Sequence, residues 1–463
     1  MTTLFPDRLE TDRLRLEAAD PETTDIDDLY AAYGRDGLED ESVFEYVPLS
    51  PYETPHDALE FLESVAEKRE KGTAATYVIR PREGEDGAGD LAGTTTIFVD
   101  WDRHLAEFAI VLRKRFWGRG YSGERARALL GVAFDRLDLE AVAVSSLPDN
   151  ERSRRAIERY VDRAGGQYEG HLRNVRTLED EPVDLHRYTI TREEYRGTRG
   201  EEYAARGADR TTRASKVSTE ADPTVDPNST QADPTVDSIT TESTATAGHP
   251  LFPSSIETDR LRLEALHTDA VDADGLFALY AICSSDPDIE EITEYLTWEP
   301  HRTPKATLEF LEYVSEKWDE STGGSYAIYP RSGEDGAGTF AGDAGFGIDW
   351  EARTMTLGVW LRKPFWGRGY SGERATAFME LAFEHLDLEA VTVTALEGND
   401  RSRRAISRYT EARGGGCEGR LRNWRVQDGE PATLYRYSVS RAEYQENQPD
   451  GAVRFPDSAT VDR

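Results

Sequence analysis

Cysteine and lysine are almost missing from this sequence, and so is any long apolar run. The two cysteines, Cys283 and Cys417, lie far apart. They offer neither a disulfide framework nor metal-binding spacing, so a reducing cytoplasm and no metal are expected. No stretch approaches the ~18 apolar residues of a membrane span. The start, Met1-Thr2-Thr3-Leu4-Phe5, has no basic region followed by an apolar run, so no signal peptide is expected. Only seven of the 55 basic residues are lysine, against 89 acidic residues and a net charge of −34. That balance argues against general nucleic-acid binding, which neutralises phosphates with clustered Lys and Arg, and against anionic membranes. The acidity runs through both halves of the chain. It reads as a halophilic surface, hydrated by carboxylates and soluble where salt screens charge.

What is present is a duplication. The 463 residues, 38% of them hydrophobic, suffice for two or three domains of ~100–200 residues each. Glu10-Thr11-Asp12-Arg13-Leu14-Arg15-Leu16-Glu17 recurs as Glu257-Thr258-Asp259-Arg260-Leu261-Arg262-Leu263-Glu264, and the run 113–125 recurs at 362–374 with one change, Arg115 to Pro364. A repeat this long is a duplicated domain and not a solenoid unit. We place domain 1 at 1–203 and domain 2 at 251–446. Between them, 204–250 is rich in Thr, Ser and Asp and nearly free of large apolar residues, which predicts a disordered linker. A loose tail is expected over 447–463.

Each unit reads as α+β. In the first, 13–17 alternates like a strand, and 26–33 and 55–71 carry helical apolar spacing. Thr54 can cap the second helix, with Pro55 at its first position. Strands are predicted at 77–80, 91–99 and 106–112, a helix at 122–137, a strand at 141–145, a helix at 151–163 and a last strand at 186–191.

The most informative segment joins a strand to a helix through Arg115-Phe116-Trp117-Gly118-Arg119-Gly120-Tyr121-Ser122-Gly123-Glu124. Glycines let backbone approach a ligand closely, and a helix N-terminus offers unpaired N–H groups and a favourable dipole to an anion. Arg113, Arg115, Arg119 and Arg125 add positive charge in an acidic chain. The segment therefore suits a diphosphate cradle, although a plain tight turn has the same pattern. No Gly-Lys-Ser/Thr follows, and the strands before it form a meander, which excludes a Walker loop and the dinucleotide fingerprint.

Arg115-x-x-Gly118-x-Gly120 resembles the acyl-CoA motif of the GNAT superfamily, and the longer string resembles its RimJ/RimL branch, the ribosomal-protein N-terminal acetyltransferases and their relatives. Residues 10–16, Asn150-x-x-Ser153, Gly166-x-Tyr168-Glu169-Gly170-x-Leu172-Arg173 and 184–195 resemble further segments of that branch in order. The resemblance covers nearly all of both units. It implies two αβα domains, each a mixed, mostly antiparallel twisted sheet flanked by helices and splayed between its fourth and fifth strands. It implies acetyl-CoA as acyl donor, with the pantetheine arm in the splay. The diphosphate would lie on Gly118, Arg119, Gly120, Tyr121, Ser122 and Gly123, and in the second unit on Gly367, Arg368, Gly369, Tyr370, Ser371 and Gly372.

GNAT enzymes transfer the acyl group directly to an amine. They need a base, an oxyanion donor and a proton for the departing thiolate. The resemblance places the oxyanion amide around Val111–Leu112 and makes Glu107 the candidate base; the second unit has Thr356 there. The family's tyrosine acid is replaced by Ile157 and Ile406. Ser153 and Ser402 are candidate partners of the thiolate, or helix-start caps. Asn150 and Asn399 are candidate pantetheine contacts, or caps. Tyr160 and Tyr409 read as core, and Trp117 and Trp366 as loop anchors.

The expected activity is N-acetyl transfer to a primary amine: a protein N-terminus, an amino-sugar antibiotic, a polyamine or an amino acid. One alternative pairs a catalytic domain with a pseudo-enzyme scaffold, the two forming an intramolecular pseudo-dimer. Another is a non-catalytic acyl-CoA sensor. Acceptor, acyl length and oligomeric state have no readable code. Since like charges repel in the compact state, the thermal midpoint should rise steeply from low to molar KCl in a melting series. A flat midpoint would mean that the acidity serves another purpose.

Overall fold

The computed structural model describes residues 4–35, 40–47, 49–178, 181–198, 249, 251–268, 270–448 and 453–456. The proposed linker therefore lies, apart from residue 249, outside the described residues. The first half runs β1 (Arg8–Glu10), β2 (Leu14–Ala18), α1 (Ile26–Tyr33), α2 (Pro55–Glu70), β3 (Ala74–Pro81), β4 (Gly93–Asp100), β5 (Leu105–Leu112), α3 (Tyr121–Gly131), β6 (Ala141–Ser146), α4 (Glu151–Arg163), β7 (Gln167–Leu178), β8 (Glu181–Thr191) and α5 (192–198).

The second half repeats it: β9 (Ser255–Glu257), β10 (Leu261–Ala265), α6 (Ala273–Ser285), α7 (Ile289–Thr293), α8 (Pro304–Asp319), β11 (Gly323–Pro330), β12 (Gly342–Asp349), β13 (Thr354–Leu357), β14 (Trp360–Leu361), α9 (Tyr370–Glu380), β15 (Ala390–Leu396), α10 (Asp400–Glu411), β16 (Gly416–Gln427), β17 (Glu430–Ser440) and α11 (Arg441–Glu446). Part of the expected loose tail is docked: Arg454 exchanges backbone hydrogen bonds with Glu257 of β9.

Local chemistry starts the elements where the sequence suggests. Asp57 accepts from the Thr54 N–H at 2.9 Å, closing a capping box with Pro55 in the first turn of α2. Ala58, Leu62 and Val65 then form its buried stripe. The helix expected over 122–137 is α3 followed by a π-helical turn, Val132–Arg136. Three elements of the first half were not anticipated. They are β1, a short strand paired with β2; β7, whose alternate positions are filled by arginine and other polar residues; and α5, where the chain leaves the last strand.

In each half the sheet is antiparallel except at one step, β5–β6 and β13–β15. It is buried on both faces. One face of the first sheet packs on α3 and α4 through Tyr77, Phe108, Leu129 and Val161, the other on α1 and α2 through Leu29, Leu62 and Val78. That is the αβα arrangement expected from the sequence.

The halves meet edge to edge. β7 pairs antiparallel with β16 at Gly170↔Gly419. A Cβ on either glycine would stand 2.2 Å from a backbone oxygen of the other strand, so the approach needs glycine. Charge then closes the seam twice, in matching positions. Glu169, with only 2% of its side chain exposed, accepts from Arg422 Nε at 2.8 Å and Arg187 Nε at 3.0 Å. Glu418, equally buried, pairs with Arg436 and accepts from the Arg173 N–H at 3.2 Å. Arg422 reaches on to Glu194 (2.7 Å) and Arg173 to Glu443 (2.5 Å). Leu172, Leu421, Leu396 and Leu434 cover this lattice with an apolar cluster.

The halves differ inside the α1/α6 face. Tyr33 donates its hydroxyl to the Val111 carbonyl at 3.1 Å. The residue in the matching place is Cys283: the Tyr52 N–H donates to Tyr33, and the His301 N–H to Cys283. Thr94 is likewise replaced by Asp343, which is buried and accepts from Ser325.

Two outcomes are expected. Replacing both Gly170 and Gly419 by valine should part the halves and raise the radius of gyration in small-angle scattering; an unchanged radius would show that the ion pairs alone hold the seam. The second concerns pH. Burial pushes the Asp343 carboxyl up to about 7, so the folded state keeps a proton that the unfolded chain releases at ordinary carboxyl values. Its effect on stability is absent below pH ~4 and destabilising as pH rises toward 7, at about 1.4 kcal/mol per pH unit. Asp343→Asn should flatten that part of the stability–pH curve in denaturant titrations; parallel curves would show that Asp343 ionises normally.

Candidate functional site

β5 and β6 pair only from Leu105↔Ala141 to Glu107↔Ala143, although β5 runs on to Leu112 and β6 to Ser146. From Phe108 onward they part, and α3 begins above the gap. In the second half β13 pairs with β15 as far as Leu357↔Val393. Gly358 and Val359 then interrupt the strand before β14.

The loop into α3 takes the shape its glycines allow. Gly118 and Gly120 have φ of 78° and 80°, and Gly367 and Gly369 match them at 78° and 83°; side chains rarely tolerate that region. Phe116 and Tyr121 are buried beneath the loop. Trp117 and Trp366 donate to the Leu112 and Leu361 carbonyls at 2.7 Å, which makes both loop anchors. Pro364 leaves the second loop with the same turn and the same capping glycine.

A clamp that the sequence reading missed holds each loop. Glu124 accepts from the Thr11 hydroxyl (2.6 Å), the Arg13 N–H (2.7 Å) and Arg13 Nε (2.8 Å). Arg13 Nη1 in turn donates to the Arg119 carbonyl at 2.9 Å. Thr258, Arg260, Glu373 and the Arg368 carbonyl repeat this set at 2.6–2.9 Å. The repeated Thr-Asp-Arg was the signal for it: a motif kept in both units yet more than 100 positions from the loop it serves.

A cleft of about 1040 Å³ runs from this loop into the gap. Gly118, Gly120–Gly123, Val111 and Leu112 line it, together with Asn150 and Ser153. Asn150 caps α4, accepting from the Ser153 N–H at 3.0 Å, and Asn399 does the same with Ser402. The arginines expected to bring charge to the loop are engaged elsewhere. Arg115 donates to Asp90 (2.9 Å) and Arg119 to Asp86 (2.8 Å), while Arg125 is buried on α3 itself. The cationic wall comes instead from α4, whose Arg152, Arg154, Arg155, Arg159 and Arg163 all line the cleft. The sequence reading missed this wall because a charged helix face looks like ordinary surface.

Glu107 stands at the last β5–β6 pair. It accepts from Arg176 at 2.8 Å, with Arg187 at 3.8 Å. In the second half Thr356 there shares a hydrogen bond with Thr392 at 2.9 Å. Ile157 and Tyr160 are both buried on α4. Among the described residues no cluster of His, Cys, Asp or Glu suits a metal, and no helix is long and apolar enough to cross a membrane.

An acetyltransferase (GNAT) domain model matches residues 13–160 and again 260–409, together well over half of the chain. An uncharacterised N-acetyltransferase, p20 of Bacillus licheniformis, is 22% identical over 197 residues, which is 42% of this chain and 100% of that protein. Similar solved structures include a GCN5-related N-acetyltransferase from Brucella melitensis. It is 19% identical, with a TM-score of 0.36, and the match covers 44% of this chain and 88% of that one. Another is the microcin C7 self-immunity acetyltransferase MccE in complex with acetyl-CoA and AMP. It is 17% identical, with a TM-score of 0.35, and the match covers 41% and 98%. The chain belongs to the GNAT acetyltransferase family, with one domain of that family in each half.

Proposed function

We propose that the chain is an N-acetyltransferase that passes an acetyl group from acetyl-CoA directly to a primary amine, a protein N-terminus or a small amine, in the RimJ/RimL manner. One observation carries this reading: the positive end of α3, a glycine loop and an arginine-lined α4 all border the gap between β5 and β6. The diphosphate lies on the amides of Gly118–Gly123, and of Gly367–Gly372 in the second half. Asn150 and Asn399 orient the pantetheine. The backbone around Val111–Leu112 holds the oxyanion, and Ser153 and Ser402 meet the departing thiolate. Glu107, kept in place by Arg176, takes the proton of the ammonium.

Thr356 has no such capacity. The first domain is therefore the better catalyst, and the second serves partly as a scaffold. The matched ion pairs across the seam support an intramolecular pseudo-dimer. Two free cysteines among the described residues suit a cytoplasmic protein.

Gly120→Val with Gly369→Val should weaken CoA binding in calorimetry, and unchanged affinity would remove the diphosphate assignment. In an amine screen at high KCl, following thiol release, Glu107→Gln should cost ~10²–10⁴ in first-domain turnover, the usual range for a lost general base. Full turnover by that variant would show that strand amides and positioning suffice.

A further inference from the structure

Arg125 is the fifth residue of α3 and is 1% exposed. Its guanidinium carbon lies 5.7 Å from the centroid of Phe108, the first β5 residue past the last β5–β6 pair. Among the described residues its Nε and Nη1 have no hydrogen-bond partner. Beside it stands Tyr160 of α4, which packs on Gly123 and lines the cleft. The Tyr160 hydroxyl is also buried without a partner. Burial pushes that phenol up to about 12, so it remains an O–H donor.

The second half repeats the arrangement. Arg374, 0% exposed, has Nε, Nη1 and Nη2 unpartnered, and the Tyr409 hydroxyl is buried and unpartnered. A guanidinium stays charged in proteins and holds its donors in a fixed fork. Buried without a counter-charge it is strongly destabilising. Yet it stands at the matching position of both domains, although the next helix positions differ (Arg127 against Thr376, Leu129 against Phe378). A single amide carbonyl would satisfy one donor. A guanidinium with unmet donors, its full positive charge and a phenol match a carboxylate. The phosphates of CoA do not answer this need, because their place is at the glycine loop on the outer end of the cleft.

We propose that Arg125 with Tyr160, and Arg374 with Tyr409, receive the terminal carboxylate of a short dicarboxylic acyl group, so that the donor range extends beyond acetyl to malonyl- or succinyl-type thioesters of CoA. This rests on the reading that the parted strands hold the acyl end of the donor. The first domain is the stronger site. It has Thr94 where the second has the buried Asp343, which sheds its proton only near pH 7; once charged, it acts on Arg374 and competes with an incoming carboxylate.

The test compares succinyl-CoA with butyryl-CoA, a neutral donor of the same chain length, on the full chain by calorimetry at high KCl. The chain should bind succinyl-CoA ten- to a hundredfold more tightly, the range for hydrogen bonds to a charged group. Arg125→Met with Arg374→Met should remove the preference without lowering the melting temperature, since an unpaired buried charge is lost. Should those variants fold poorly, Tyr160→Phe with Tyr409→Phe should still narrow the ratio several-fold. Equal or tighter butyryl-CoA binding by the unaltered chain would overturn the proposal while leaving the CoA site intact. So would a ratio that survives both pairs of substitutions. Absence of binding by CoA itself would overturn both this proposal and the reading beneath it.

Discussion

Strands β5 and β6 exchange hydrogen bonds over three residue pairs and then separate, and the rest of the molecule is arranged around that separation. Two parallel strands that part inside a sheet leave unpaired peptide groups facing a gap. Such groups are tolerated in a protein interior only where water, a ligand or another chain segment meets them. Here the gap opens onto the start of α3, where the first N–H groups have no partner within the helix. The loop between them must therefore hold its shape without ladder bonds. Gly118 and Gly120 permit the turn, and the Thr11–Arg13–Glu124 clamp fixes it from the opposite end of the sequence. The same clamp in the second half holds a loop that carries proline in place of Arg115. This shows that the backbone path, and not the Arg115 side chain, is what both domains preserve.

The seam between the halves is a different solution to a related problem. β7 and β16 are edge strands, and an exposed edge invites pairing with other chains. Each edge is instead spent on the other. Glu169 and Glu418 are taken almost wholly out of water, which is favourable only when every lone pair is met. Glu169 is met by the Arg422 N–H, Arg422 Nε and Arg187 Nε. In a chain with so many carboxylates, screened by salt at the surface, these buried pairs are the ones that salt reaches least.

The parts of the fold legible in the sequence were those set by local chemistry. The caps at Thr54, Asn150 and Asn399, the alternation of β2 and the glycine loop all depend on residues within a few positions of one another. What escaped was set by distant partners. β7 was not read as a strand because its polar positions, such as Glu169 and Arg173, face the other domain and not a core. Arg115 and Arg119 looked like phosphate ligands, since nothing nearby revealed that the 86–90 loop supplies their carboxylates. The α4 arginines looked like solvated surface until α4 was set beside the loop. Arg125 was counted among the exposed charges of the loop, because a basic residue at a helix start gives no local sign of burial.

The two halves share one set of contacts and differ in another. The clamp, the glycine turn, the α4 cap and the buried Arg–Tyr pair are duplicated, and all of them belong to the end of the gap near α3. The exchanges Tyr33 for Cys283, Thr94 for Asp343 and Glu107 for Thr356 fall on the opposite face or at the last β5–β6 pair. In the first half Tyr33 fills the space over Val111 and ties its carbonyl. In the second half a smaller thiol and a buried acid occupy that region, and the strand itself breaks at Gly358. Changes of volume, charge and backbone path thus fall on that side of the gap, while the clamp, the glycine turn and the α4 cap recur. A duplication in which both copies bound the same pair of substrates would gain nothing from that pattern. One in which a common donor serves two different faces, or one working face and one supporting one, accounts for it directly.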